Sequence, residues 1–127
     1  MKMLPNLPRI LKKKEASITP RINAFMAQYA PPCCAWEIKT VKGSSCPKKA
    51  VLEHQIRALR AVMSPAGVVH KLSDEARRQQ PFDAFKIASA SAYVVVHYQK
   101  HKTCIVYDAG SWNGATIDSP CVWRFKI

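Results

Sequence analysis

At 127 residues the chain is long enough for one modest core and too short for two independent domains. Its hydrophobic fraction of 48% is that of a globular protein and excludes disorder as the default, while 20 Lys and Arg against 8 Asp and Glu leave a formal charge of +12. Such an excess says little about fold, but it draws in polyanions, so nucleic acid ranks first as partner, ahead of a membrane surface. No stretch approaches the ~20 apolar residues of a spanning helix. Residues 1–14 lack an apolar run with a small-residue cleavage site, so the chain is expected to stay in the cytosol with no membrane partner. Five cysteines, an odd number that includes the adjacent Cys33 and Cys34, make a poor disulfide framework. Cys33, Cys34, Cys46 and His54 lack the CxxC spacing of a zinc site, and reduced structural thiols are expected instead.

In chain order, residues 1–14 carry two of the prolines and the run Lys12-Lys13-Lys14, which reads as a flexible basic arm, either solvated or gripping phosphates. Residues 15–127 are expected to form a single domain. Thr19-Pro20 predicts a helix start, with a capping oxygen ahead of a proline in the first turn. Ile22, Phe25, Met26 and Tyr29 give this helix one apolar face, and Pro31-Pro32 ends it. Residues 34–41 alternate as a strand, with Trp36, Ile38 and Thr40 on one face and Glu37, Lys39 and Val41 on the other.

After a Gly- and Ser-containing loop, a second helix is predicted over 48–63, with Leu52, Ile56, Leu59 and Met63 as its buried stripe. Residues 68–72 form a short strand, and 73–80 a turn or brief helix. The rest reads as strands over 82–88, 92–99, 103–108 and 121–126, rich in Val, Ile, Tyr, Phe and Trp. Tyr93-Val94-Val95-Val96 is continuous in apolar residues, as in a central strand covered on both faces. Helix, strand, helix and then mostly strands predict one α/β or α+β domain, a central mixed sheet flanked by helices.

Glu37 and Lys39 stand two apart on a strand, so their side chains leave the same face. Phosphodiester hydrolysis calls for a carboxylate to hold a divalent cation and a cation near the developing negative charge, and one strand supplies both. Alone, Glu-x-Lys arises by chance on many solvated strands. Gln55, three after Leu52 and four before Leu59, falls within the apolar stripe, where an amide must find partners or cost about 1–3 kcal/mol. It is either a core glutamine satisfied by backbone or a residue that orients the chemistry beside Glu37. His70, His97 and His101 read as packing or surface histidines, Asp108 as a turn cap, and Trp112 and Trp123 as core rather than stacking platforms.

Trp36-Glu37-Ile38-Lys39-Thr40, followed by Glu53-His54-Gln55 at the start of an apolar helix, resembles the PD-(D/E)xK nucleases, especially the RecU-like Holliday junction resolvases. The likeness runs more loosely through Lys71-Leu72-Ser73-Asp74 and Pro81-Phe82-Asp83, similar to small phage-type resolvases, and covers roughly residues 15–112. It implies a restriction-endonuclease-like core, cleavage of branched DNA with Mg²⁺ (or Mn²⁺) and no small-molecule cofactor, action as a homodimer, and a bacterial or phage-infected host cytosol. By position it makes Glu37 a metal ligand, Lys39 the catalytic lysine, Gln55 the active-site glutamine of the helix, and Glu15 the counterpart of the family's first-helix glutamate. The family's aspartate before Glu-x-Lys is missing, for Pro31-Pro32-Cys33-Cys34 holds no acid. Asp83 is the expected replacement, reaching Glu37 from a neighbouring strand, with Asp74 the alternative; otherwise catalysis has been abandoned.

The expected phosphate grips are Lys12, Lys13, Lys14, Lys48, Lys49, Arg57, Arg60, Arg77 and Arg78, which bind without reading sequence. Two rivals follow: a nicking or repair nuclease with the same core, and a non-catalytic DNA-binding protein that keeps the fold.

Overall fold

The computed structural model describes residues 2–3, 18–77 and 82–127. Lys12, Lys13, Lys14, Glu15 and Arg78 lie outside the described residues. Nine strands and three α-helices are described: β1 (Lys2–Met3), α1 (Thr19–Tyr29), β2 (Cys34–Val41), β3 (Ser45–Cys46), α2 (Glu53–Met63), β4 (Val68–Lys71), α3 (Asp74–Arg77), β5 (Ala84–Ile87), β6 (Ser91–Tyr98), β7 (Thr103–Asp108), β8 (Ala115–Thr116) and β9 (Trp123–Lys126).

A five-stranded sheet in the order β1-β9-β7-β6-β2 forms the centre. β2 runs parallel to β6, which pairs antiparallel with β7, and β7 antiparallel with β9. The sheet is therefore mixed, as expected, and the parallel pair is bridged by a crossover containing α2. Within the segment expected as an arm, Lys2–Met3 pairs in parallel with Trp123 and Arg124.

One helix covers each face. On the first, Ile22, Phe25 and Met26 of α1 pack with Tyr93, Val95, Cys104, Val106 and Phe125. On the second, Ile56 and Leu59 of α2 pack with Val94, Val96, Tyr98, Ile105, Tyr107 and Trp112. Successive residues of β6 thus feed opposite cores, the reason the strand reads as continuously apolar. The alternation of β2 is also as expected: Trp36 and Ile38 face α1, where Trp36 Nε1 donates to Asn23 Oδ1 at 2.9 Å, and Val41 joins the α2 side.

The first helix starts at Thr19 with Pro20 in its first turn, as expected, but Ile18 rather than Thr19 is the N-cap residue. The second helix does not begin at Lys48. Lys48–Ala50 makes a separate 3-10 turn, Val51 and Leu52 are extended, and α2 starts at Glu53. Val51, in the extended link between the two, is 3% exposed and joins the α2-side core. Leu52, expected in the buried stripe, is 51% exposed, and Val62 joins Ile56 and Leu59 as a buried residue of α2.

β4 and β5 form their own antiparallel two-stranded sheet, joined to the body at Gly67, whose φ is +69°. A Cβ there would clash with the Ile87 carbonyl oxygen, which is backbone and cannot yield cheaply. Gly67→Ala is therefore expected to cost about 1–3 kcal/mol, read as a lower urea midpoint at an unchanged slope.

His97 sits in β6 between Thr40 of β2 and Cys104 of β7, 7% exposed, with Nδ1 lacking a hydrogen-bond partner. Burial, and then the Arg21 guanidinium on α1, lower its pKa from the ordinary 6.5. The unfolded chain binds this proton more readily, so stability is fully present above pH ~6.5 and falls as pH drops toward the folded-state value. Urea titrations at several pH values are expected to show that loss in the native protein and a weaker one in His97→Gln.

Candidate active site

β2 is an edge strand, and its α2-facing side is only half covered, so polar side chains there stay wet yet fixed. Glu37 and Lys39 leave that side, as their spacing requires. Lys39 Nζ stands 3.5 Å from Glu37 Oε2, with side-chain exposures of 21% for Lys39 and 31% for Glu37.

Gln55 closes the cluster from α2. Its Nε2 donates to Glu37 Oε2 at 3.2 Å, and its Oε1 accepts the backbone N–H of Leu52 at 3.0 Å. The second bond sets the first: a backbone N–H can only donate, so the amide must turn its oxygen to Leu52 and its NH₂ to the carboxylate. Gln55 stands three residues after the N-cap position and satisfies one of the helix's leading N–H groups, half of a capping box. The two readings of this glutamine are joined: backbone satisfies one end and Glu37 the other. Glu37 Oε2 thereby collects an ammonium and an amide, which fixes its rotamer and shares its charge.

Cys46, 1% exposed, lies close by; burial pushes its thiol pKa up, and the Lys39 ammonium opposes the rise. All five cysteines are free, in keeping with the expected reduced thiols.

Asp83 does not stand on a strand beside Glu37. The neighbour of β2 is β6, which sets Val94 opposite Glu37. Asp83 precedes β5 in the separate hairpin, where its main-chain carbonyl accepts the Leu72 N–H at 2.8 Å and its side chain is exposed. Asp74 opens α3, also exposed. Among the described residues, no group of three or more His, Cys, Asp and Glu side chains is arranged to hold a metal ion.

Of the expected phosphate grips, Lys48, Lys49 and Arg57 are exposed, and Arg77 belongs to α3. Arg60 has another task. Its Nε donates to the Ala109 carbonyl at 3.2 Å and its Nη2 to that of Trp112 at 3.0 Å, tying α2 to the 3-10 turn over Ala109–Ser111. Trp112 is core, 4% exposed, its Nε1 donating to the Lys48 carbonyl at 3.3 Å. His101 pairs with Ser44 Oγ at 2.7 Å, and Asp108 accepts from Ser111 Oγ at 3.4 Å.

A cleft of about 510 Å³ lies between the Lys48–Ala50 turn and α2, with Trp112 in its lining. Sequence reasoning missed it because it assigned Leu52 to the buried stripe of an unbroken helix. The available signal was Pro47 ahead of Lys48-Lys49-Ala50-Val51, a start that permits a short turn before the helix proper. Compared with protein-family models, with curated proteins and with solved structures, the chain matches none, so what this site does is to be argued from its own side chains.

Proposed function

We propose that the chain is a metal-dependent DNA endonuclease of the PD-(D/E)xK type, acting on branched DNA such as a four-way junction, with Glu37, Lys39 and Gln55 as its working residues. The observation that carries this reading is the single contact network in which Glu37 Oε2 meets both Lys39 Nζ and Gln55 Nε2. Three residues singled out for that chemistry from the sequence come from two elements 16 or more positions apart and touch.

A part-exposed carboxylate suits a hard cation, and Mg²⁺ is commonly held by one or two carboxylates together with substrate phosphate oxygens. Glu37 would hold Mg²⁺ or Mn²⁺, with Glu15, which lies outside the described residues, as the candidate for a second carboxylate, since Asp83 stands in the separate hairpin. When bound, such an ion supplies a water of lowered pKa and offsets charge on the phosphate. Gln55 holds Glu37 in one orientation, so the carboxylate need not reorganise when substrate arrives. Lys39 presents a fixed positive charge whose attraction grows as the phosphate oxygens gather negative charge, provided it exchanges its Glu37 contact for the substrate. Lys48, Lys49 and Arg57, with the net charge of +12, would hold flanking phosphates. A junction has two strands to cut, so a homodimer with two such sites is the expected working form.

A second reading is favoured by a specific observation: no third acidic or other metal-ligating side chain gathers at Glu37 among the described residues. On that reading the chain binds DNA and does not cut it. End-labelled four-way junction, flap and linear duplex, each incubated with the protein in Mg²⁺, Mn²⁺ or EDTA, separate the two. Cutting only with metal, and first on the junction, is expected. Binding to all three with no cut in either metal decides for the second reading.

A further inference from the structure

We propose that the cleft between the Lys48–Ala50 turn and α2 receives a single unpaired nucleotide of the DNA strand held at Glu37, its base against an aliphatic wall and its phosphate on the lysines; the choice of DNA rests on the reading above. The cleft, about 510 Å³, falls within the range of small-ligand sites, roughly 300–1,000 Å³, and takes one nucleotide. Its lining is of two kinds. Val51, Leu52 and Ile56 supply aliphatic surface, and Lys48, Lys49 and Arg60 outnumber the one carboxylate, Glu53.

The two kinds together select the occupant. A phosphate alone would use the cations and leave the aliphatic wall wet, whereas an apolar ligand would leave both lysines idle. A nucleotide uses both. The base must be unpaired and unstacked, because only then is its flat apolar face free to cover Leu52. Leu52 is the side chain that calls for this cover, being 51% exposed on an extended residue outside the helix it was expected to join. Arg60 cannot swing away, since two carbonyls hold its guanidinium, so its charge is a fixed feature of the wall.

The cleft is also coupled to the cluster. Leu52, which lines it, gives its backbone N–H to Gln55, which in turn binds Glu37. A base seated on Leu52 therefore bears on the residue whose backbone N–H orients Gln55 and, through it, Glu37. This gives branched DNA, with its unstacked bases at the crossover, an advantage over a plain duplex that backbone contacts alone do not supply.

The test uses the full chain carrying Glu37→Gln, in EDTA, with a fluorescein-labelled single strand of twelve deoxycytidines and a strand of equal length in which all twelve bases are replaced by abasic residues. Both carry equal phosphate charge, and affinity is read by anisotropy. The abasic strand is expected to bind roughly tenfold more weakly. Leu52→Ser, an exposed change that keeps the backbone N–H, is expected to erase that difference while binding the abasic strand unchanged. Lys48→Gln with Lys49→Gln is expected to weaken both strands alike. Equal affinity for the two strands overturns the proposal, and so does a base preference that survives Leu52→Ser, which would place the base elsewhere, for instance on the exposed Phe82 and Phe85. Metal-dependent cutting with no base preference would remove the cleft assignment alone; a Leu52-dependent preference without cutting would remove the nuclease reading alone.

Discussion

Glu37→Gln is expected to lower the single-turnover rate of metal-dependent junction cleavage by at least about 10²–10³-fold, the loss typical of removing one preorganised electrostatic group, or roughly 3–4 kcal/mol of barrier. The substitution isolates charge. An amide oxygen still accepts the Gln55 Nε2 now 3.2 Å away, so the side chain keeps its seat while losing its affinity for a divalent cation and its pairing with Lys39. Lys39→Ala is expected to cost a similar amount, and Lys39→Arg to recover little, because a planar guanidinium places its charge differently from an ammonium at the end of a β2 side chain. Gln55→Ala should cost less, since Gln55 acts through Glu37; raising Mg²⁺ is expected to recover part of its rate and none of that of Glu37→Gln. Should Glu37→Gln cut at the native rate, β2 is not where the chemistry occurs, and the binding-only reading or a different site takes over.

How far this arrangement could be read from the sequence depends on the range of the forces involved. β2 was legible over 34–41, because strand alternation is a local rule and every second side chain obeyed it. The central place of β6 was legible because Ala92 to Val96 run apolar without alternation, as a strand buried on both faces requires, though its buried His97 carries no such signal. Gln55 was legible as a residue needing partners, and one of those partners proved to be Glu37.

The start of α2 was not legible, because Lys, Ala and Leu all favour helix, whereas Val51 and Leu52 are extended between the 3-10 turn and α2. Nor was the capping role of Gln55, which ordinarily accompanies a Ser or Thr at the N-cap, where this chain has Leu52. The two-residue pair of β3 and β8 is too short to carry a periodic signal. Arg60 and Asp83 mark the same boundary. A charged residue on a helix face looks alike whether it holds phosphate or a carbonyl 49 residues away, and an aspartate before a strand does not announce which sheet the strand will join.

Phe125→Ala is expected to be the most destabilising of the single changes considered, by about 3–5 kcal/mol in urea unfolding, a large part of the roughly 5–15 kcal/mol that holds a domain together. Phe125 and Phe25 are both 0% exposed, with rings stacked at 14° and centroids 3.6 Å apart. Truncation removes the whole buried ring and leaves a cavity walled by α1 and the sheet, neither of which can close without losing its other contacts. Phe125→Leu fills most of the space and should cost distinctly less, so the difference between the two reads the cavity itself. The damage should also be one-sided. Phe125 belongs to the core beneath α1, whereas the Glu37, Lys39 and Gln55 cluster is built on the α2 side of the sheet. At a temperature where Phe125→Ala remains folded, its cleavage rate per folded molecule is expected to stay within about twofold of native, because sites without shared partners act nearly independently. A loss approaching that of Glu37→Gln would mean that the packing of the α1 core reaches Glu37 and Lys39 through Trp36 and Ile38, the β2 side chains that face α1.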